Sequence, residues 1–157
     1  MNTLITPTEA LRRAFRSDER LAADTFAEAD VAVAEQRFLR PMLGASLHDR
    51  LLAGGNTRFV EEYLAAPLAF LTRLVAQPRL ALLASPVGLL MAETATTETA
   101  KTEARHALMR ELRMQAKTLL KRAAEYLDTH KNEFPEYDPD QNVFNRCMTD
   151  GGFVQII

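Results

Sequence analysis

The segment Ala29–Leu52, ADVAVAEQRFLRPMLGASLHDRLL, indicates a helical protein. Val31, Ala34 and Phe38 recur in it at i, i+3 and i+7, which is the spacing of one face of an α-helix. We therefore expect an amphipathic helix from about Ala27 to Arg40. Its charged residues fall elsewhere on the helix: Glu28, Asp30, Glu35 and Arg37.

A proline divides this segment into two predicted helices. Pro41 disfavours helical geometry at the preceding residue, so the first helix is predicted to end at Arg40. A short second helix should follow and end at Gly54-Gly55, a common helix-ending signal. One face of the second helix carries three leucines: Leu43, Leu47 and Leu51.

Helical patterns continue on both sides of this segment. Thr6 can cap a helix whose first position is Pro7. The most apolar stretch, Tyr63–Ala84, predicts a central buried helix that Pro67 and Pro78 kink or split. We expect no membrane span in this stretch, because it also carries polar and charged residues: Arg73, Gln77 and Arg79.

The clearest predicted element is a long helix at Lys101–His130. Its apolar residues form one stripe at helical spacing: Leu108, Leu112, Ala116, Leu119, Ala123 and Leu127. A separate stripe, which we name the cationic face, is turned well away from it and consists of Arg110, Arg113, Lys117 and Lys121. It either meets phosphates or is a solvated face that nearby acids partly balance: Glu103, Glu111, Glu125 and Asp128. The Thr/Ala/Glu-rich sequence at about 85–102 predicts a loop of weak structure, although its Ala and Glu residues also allow some helix.

The sequence after the long helix has no helical period. Two prolines and the pair Gly151-Gly152 predict an extended, non-helical C-terminal tail. The tail closes on the apolar run Phe153–Ile157, whose high β-propensity would favour aggregation if it were exposed. We expect either a groove of the same domain or a neighbouring subunit to cover it. The candidate interface residues are Tyr137, Phe144, Phe153, Val154, Ile156 and Ile157.

These patterns predict an all-α fold of four to five helices around one core. It has a kinked central helix, one long C-terminal helix and the extended tail. The predicted division is a helical domain at 1–132, with a flexible loop at about 85–102, followed by the tail at 133–157. A chain of 157 residues suits one such domain, which would bury roughly 70% of its unfolded surface.

The residues that carry catalysis or bind metals in other proteins form no recognisable set in this sequence. His48, His106 and His130 lie on different elements without metal-ligand spacing, and we interpret them as surface or hydrogen-bonded polar residues. Cys147 has no nearby histidine, and its being single excludes an internal disulfide. We predict that the protein is not an enzyme and has no metal or cofactor.

The charge of the chain is unevenly distributed, although its net value is only -2. Lys101–Lys131 carries eight Lys/Arg against four Asp/Glu, whereas Asn132–Ile157 carries one Arg against five acids. Two arrangements remain open. The acidic tail covers the basic helix of an identical neighbour, or it folds back onto its own helix.

Several stretches resemble an uncharacterised family of bacterial prophage proteins: Glu28–Glu35, Phe38–Gly44, Leu47–Leu51, Tyr63–Leu68, Gln77–Arg79, Glu133–Pro139, Asn145–Cys147 and Asp150–Ile156. The resemblance covers most of the chain but not Ser85–Lys101. That family is similar in layout to tailed-phage head–tail connector (adaptor) proteins, which are small helical subunits joined into a ring beneath the portal.

The resemblance implies a structural phage assembly protein without catalytic residues. It would form a homo-oligomeric ring, contact portal or tail proteins, and occur in the virion or the bacterial cytoplasm. The alternative is a nucleic-acid-binding helical module in which the cationic face meets DNA phosphates. No aromatic residue interleaves that face, which counts against the alternative.

Overall fold

The chain is all-helical, as its sequence predicts. The computed structural model describes residues 2–15, 22–83 and 95–146, and within them the side chains of 2–15, 22–80 and 101–145. The helices of these residues are α1 (Pro7–Ala14), α2 (Glu28–Ala34), α3 (Arg40–Leu43), α4 (Ala45–Leu52), α5 (Thr57–Phe59), α6 (Ala65–Leu83), α7 (Ala95–Thr129) and α8 (Val143–Arg146). Two π-turns, Glu35–Leu39 and Val60–Leu64, join α2 to α3 and α5 to α6.

Helix α1 begins as its sequence predicts. The Thr6 hydroxyl accepts a hydrogen bond from the backbone N–H of Glu9 at 3.2 Å, and Pro7 occupies the first helical position. The C-terminal end of α1 is held by Arg73 of α6, whose guanidinium donates to the Ala14 carbonyl at 2.8 Å. The same guanidinium lies 3.9 Å from the centroid of the Phe15 ring, so α1 is fixed to α6 by polar and cation–π contacts together.

The prediction that the first helix ends at Arg40 is wrong. The backbone stays helical to Leu43 because the π-turn lies just before Pro41, and Arg40 N–H bonds to the Glu35 carbonyl five residues back. In a regular helix, a proline ring clashes with the carbonyl group four residues earlier. Here that carbonyl belongs to the π-turn, whose wider backbone leaves room for the ring. The helix ends at Gly44, whose φ of +82° turns the chain directly into α4.

The central helix repeats this arrangement and is not split by its prolines. Ala65 N–H bonds to the Val60 carbonyl in the second π-turn, and Pro67 follows two residues later. Pro78 lies inside α6, which continues to Leu83. The backbone is therefore helical throughout 57–83.

The core is built around α6, which packs against α1, α2 and α7. This explains the nearly uniform apolar character of its sequence, since a helix with neighbours on several sides has little face left for water. The three leucines predicted to share a face of the second short helix are all buried, and all belong to the same core: Leu43, Leu47 and Leu51.

Helix α7 begins earlier than its sequence predicts. The residues at 95–102 are helical, so the loop prediction is wrong for them, while 85–94 lies outside the described residues. Alanine and glutamate have high helix propensity, and a helix already nucleated by packing extends into such sequence at little cost. The predicted apolar stripe does face the core, with Leu112, Ala116, Ala123 and Leu127 buried and Leu108 and Leu119 partly buried.

The described part of the tail folds back onto the domain and is not extended throughout. Phe134 is buried against Phe59 of α5, with ring centroids 5.0 Å apart. The chain then passes through turns to α8, which packs on α3. Residues 147–157, including the predicted apolar ending, lie outside the described residues.

Candidate functional site

The cationic face lies on the exposed side of α7. All four side chains are exposed, and the row from Arg110 to Lys121 is about 17 Å long at 1.5 Å per residue. The buried residues Leu112 and Ala116 point to another side of the helix. No member of the face forms an ion pair with any residue that the structure describes. The face therefore presents four solvated charges in a row.

The segment Lys101–Ala107, near the N-terminal end of α7, is exposed on every side. Each side chain from Lys101 to Ala107 is exposed, whereas from Leu112 onwards the helix has a buried face. Beside the cationic face, the Met114 side chain is 70% exposed. About two turns of the helix, Lys101–Ala107, thus extend beyond the packed core, and Met114 adds an exposed apolar group on the packed part.

Two of the predicted interface residues make contacts within their own chain. Tyr137 is buried, and its hydroxyl accepts a hydrogen bond from the Asn142 amide at 2.7 Å. Burial raises the pKa of this hydroxyl. Phe144 is partly buried, and its N–H donates to the Asn142 side-chain oxygen at 2.9 Å. The remaining predicted interface residues lie outside the described residues: Phe153, Val154, Ile156 and Ile157.

An ion pair joins the tail to α4 and not to the cationic face. The Arg50 guanidinium contacts the Glu136 carboxylate at 2.6 Å and the Glu133 carbonyl at 3.1 Å. A hydrogen bond from its own backbone N–H and the contact with Arg50 hold the pKa of Glu136 below its ordinary value, against the opposing effect of desolvation. The tail therefore meets its own domain through a cation that charge counting along the sequence did not single out.

Aromatic rings fasten the start of the tail to the end of α7. Tyr126 stacks on Tyr63 with ring centroids 4.4 Å apart, and on the His130 ring at 3.9 Å. The Arg122 guanidinium lies 5.0 Å from the centroid of the Tyr63 ring. Desolvation, and then the nearby Glu133 carboxylate, raise the pKa of Tyr126. His130 is thus a stacking residue.

A buried Glu35–His48 pair is the main feature that the sequence analysis missed. Both side chains are buried, and His48 Nε2 lies 3.5 Å from Glu35 Oε2, too long for a good hydrogen bond. Neither ring nitrogen has a hydrogen-bond partner among the described residues. The interpretation of His48 as a surface or hydrogen-bonded residue is therefore wrong. The placement of Glu35 away from the apolar face is wrong too. Glu35 follows the apolar residue Val31 by four positions, a spacing that already indicated the same side of the helix.

The pair connects the N-terminal segment to the first π-turn. The other carboxylate oxygen, Glu35 Oε1, accepts a hydrogen bond from the backbone N–H of Leu4 at 2.6 Å. The Asn2 amide donates to the Leu52 carbonyl at 3.0 Å, which holds the same segment at α4. Because both members of the pair are shielded from solvent, we assign it a structural role.

The described residues offer neither a metal cluster nor a membrane-spanning helix. Within 2–15, 22–83 and 95–146, no group of three or more His, Cys, Asp or Glu side chains is placed to hold a metal ion. In the same ranges no helix has the length and apolar character needed to cross a membrane.

The chain matches the model of one protein family. The model of DUF6712, a family of unknown function, matches residues 38–145, about two thirds of the sequence. The chain belongs to this family. The DUF6712 match extends from the first π-turn through α7 to α8, so it includes the cationic face and the folded part of the tail. No curated protein and no solved structure is significantly similar to the chain.

Proposed function

We propose that this DUF6712 protein is a structural subunit of phage assembly, similar to a head–tail connector, that packs into a ring and contacts portal or tail proteins. The observation that carries the proposal is the exposed N-terminal part of α7 beside an unpaired cationic face. The sequence resemblance to prophage proteins supplies the phage setting.

The length of α7 supports this role. Its 35 residues span about 52 Å. A globular chain of 157 residues has a radius of gyration of about 15 Å, hence a diameter of about 40 Å. A helix longer than its own domain offers neighbouring subunits a surface that one subunit cannot cover.

Charge supports contact between unlike surfaces of identical subunits. The cationic face has no partner among the described residues, while Glu133 and Asp138, in the tail that follows α7, are exposed acids. Opposite charges on different faces favour head-to-tail contact, which closes into a ring when the rotation between subunits allows it.

The test is light scattering on a sizing column over a range of protein and salt concentrations. We expect a large, discrete oligomer whose population falls as salt rises. The double variant Arg113→Gln/Lys117→Gln should weaken assembly, whereas the matched variant Arg12→Gln/Lys131→Gln removes the same charge from exposed positions elsewhere and should not. Equal weakening by both variants would contradict a specific role for the cationic face.

The second candidate function is nucleic-acid binding, which the same four unpaired charges favour. A row of cations about 17 Å long can neutralise successive phosphates, so binding should weaken steeply as salt rises. In a fluorescence anisotropy titration with duplex DNA, Arg113→Gln/Lys117→Gln should reduce the slope of log K against log salt by about 2. A monomer that binds DNA with this slope would favour the second candidate over the first.

A further inference from the structure

The outward side of α2 carries an apolar surface that the described residues leave uncovered. We name it the α2 face, and it consists of Ala29, Ala32, Val33, Gln36 and Arg37. Val33 is 47% exposed and, with Met114, is one of two large hydrophobic side chains of the described residues that are well exposed. An exposed apolar surface of this kind is typical of a contact site.

The α2 face has a polarity along its length. Its small apolar residues lie toward the start of α2, and Arg37 lies in the π-turn that precedes α3. Arg40 follows one turn later, is exposed, and donates to the Gln36 amide oxygen at 2.9 Å. Neither arginine forms an ion pair with the described residues. An occupant with an acidic end and an apolar end would match this order.

The chain itself supplies such a segment next to the arginines. Helix α8 packs on α3, the helix that follows the cationic end of the α2 face, and the described chain ends in α8 at Arg146. The sequence that follows is CMTDGGFVQII, in which Asp150 comes first and the apolar run Phe153–Ile157 comes after it. The order of acid and apolar residues matches the order of the face when it is followed from α3 toward α2.

The available length is sufficient. Phe153 is seven residues beyond Arg146, which allows up to about 24 Å of extended chain. Along the helix, Leu43 and Val33 are ten residues apart, about 15 Å. The segment is therefore long enough to span the distance along the helix from α3 to Val33.

We propose that the segment Phe153–Ile157 docks on the α2 face of its own chain, with Asp150 beside Arg37. The docking covers both the exposed Val33 and an apolar run that would favour aggregation in water. It is independent of the assembly role, since it is a contact within one chain.

Cysteine cross-linking tests the proposal directly. In a Cys147→Ser background, Val33→Cys and Val154→Cys are combined and oxidised mildly at low protein concentration. The matched control combines Met114→Cys with Val154→Cys, because Met114 is even more exposed but lies on α7. We expect the Val33 pair to form an intramolecular disulfide at least tenfold faster than the Met114 pair, read from mobility on a non-reducing gel.

Two results would overturn the proposal. Equal rates for both pairs would mean that the segment has no preference for the α2 face. Covalent dimers whose yield rises with protein concentration would assign the face to the segment of another copy. These outcomes are separate from the oligomer measurement, because the intramolecular disulfide is scored on the monomer band.

Charge reversal gives a second readout in the same background. Asp150→Arg should slow formation of the Val33 disulfide several-fold, and adding Arg37→Glu should restore most of the rate. Far-UV circular dichroism before oxidation verifies that each variant is folded. If neither substitution changes the rate at which the Val33 disulfide forms, the pairing of Asp150 with Arg37 is contradicted.

Discussion

The folded part of the tail and the cationic face of α7 use their charged and apolar groups in opposite ways. In the tail, Phe134 and Tyr137 are buried, and Glu136 is paired with Arg50. On the cationic face, every side chain is solvated, and none is paired among the described residues. One region completes the fold of its own chain, while the other stays exposed to solvent.

The contact seen in residues 133–146 corresponds to neither of the two arrangements that charge counting leaves open. The described tail does fold back on its own chain, but Arg50 of α4 binds its carboxylate, and the basic residues of α7 do not. The count of local charges along the sequence therefore did not identify the two side chains that form the ion pair. The tail should matter for stability, and the cationic face for association.

The largest expected effect comes from removing the aromatic contact that holds the tail. Phe134→Ala deletes a buried ring that packs on Phe59, and should lower the free energy of unfolding by about 3–5 kcal/mol. Urea denaturation followed by circular dichroism measures the change. Met114→Ala, at an exposed position of α7, should stay within about 0.5 kcal/mol. Similar losses of unfolding free energy in both variants would contradict the conclusion that the tail, and not the exposed side of α7, stabilises the fold.

A smaller effect is expected from the hydrogen bond inside the tail. Tyr137→Phe keeps the ring but leaves the buried Asn142 amide without its partner, at a cost of about 1–3 kcal/mol. The double variant Tyr137→Phe/Asn142→Leu removes both partners, and comparison with each single variant isolates their coupling. If the losses in the free energy of unfolding of the two single variants add up to that of the double variant, the hydrogen bond does not contribute to stability.

The smallest expected effect is the pH dependence of the ion pair between tail and α4. The pKa of Glu136 is lower in the folded protein, so its contribution is present above the ordinary glutamate pKa, about 4.3. It is lost as the pH falls through the lower, folded-state value. Wild type should therefore be more stable than Glu136→Gln at neutral pH, and the difference should vanish in acid. A pH-independent difference in the urea midpoint would contradict this assignment.

Much of the fold was predictable because it depends on local rules. The cap at Thr6 and the leucine spacing of α4 follow from short-range geometry, and both are confirmed. The continuation of the helix past Pro41 depends on a widened turn, which no propensity scale anticipates. The burial of Glu35 depends on His48 and the Leu4 backbone, which are distant in sequence.

The candidate site was predictable only in part, for a similar reason. Helical spacing alone placed the four cations on one face, and all four are exposed. The roles of Tyr137 and Arg50 depend on where the tail folds, and its path is determined by contacts with α4 and α5 that no local pattern encodes. An interface role for Phe153–Ile157 between chains stays a prediction, and docking on the α2 face of the same chain is its rival.

The second π-turn has a consequence for how the chain length can vary. A turn of this kind holds one residue more than an α-turn, so losing one codon within Val60–Leu64 leaves a regular helix with both ends in the same rotational phase. Pro67 would then meet the Tyr63 carbonyl of an ordinary turn. Among DUF6712 members, a one-residue deletion here and the replacement of this proline should be inherited together.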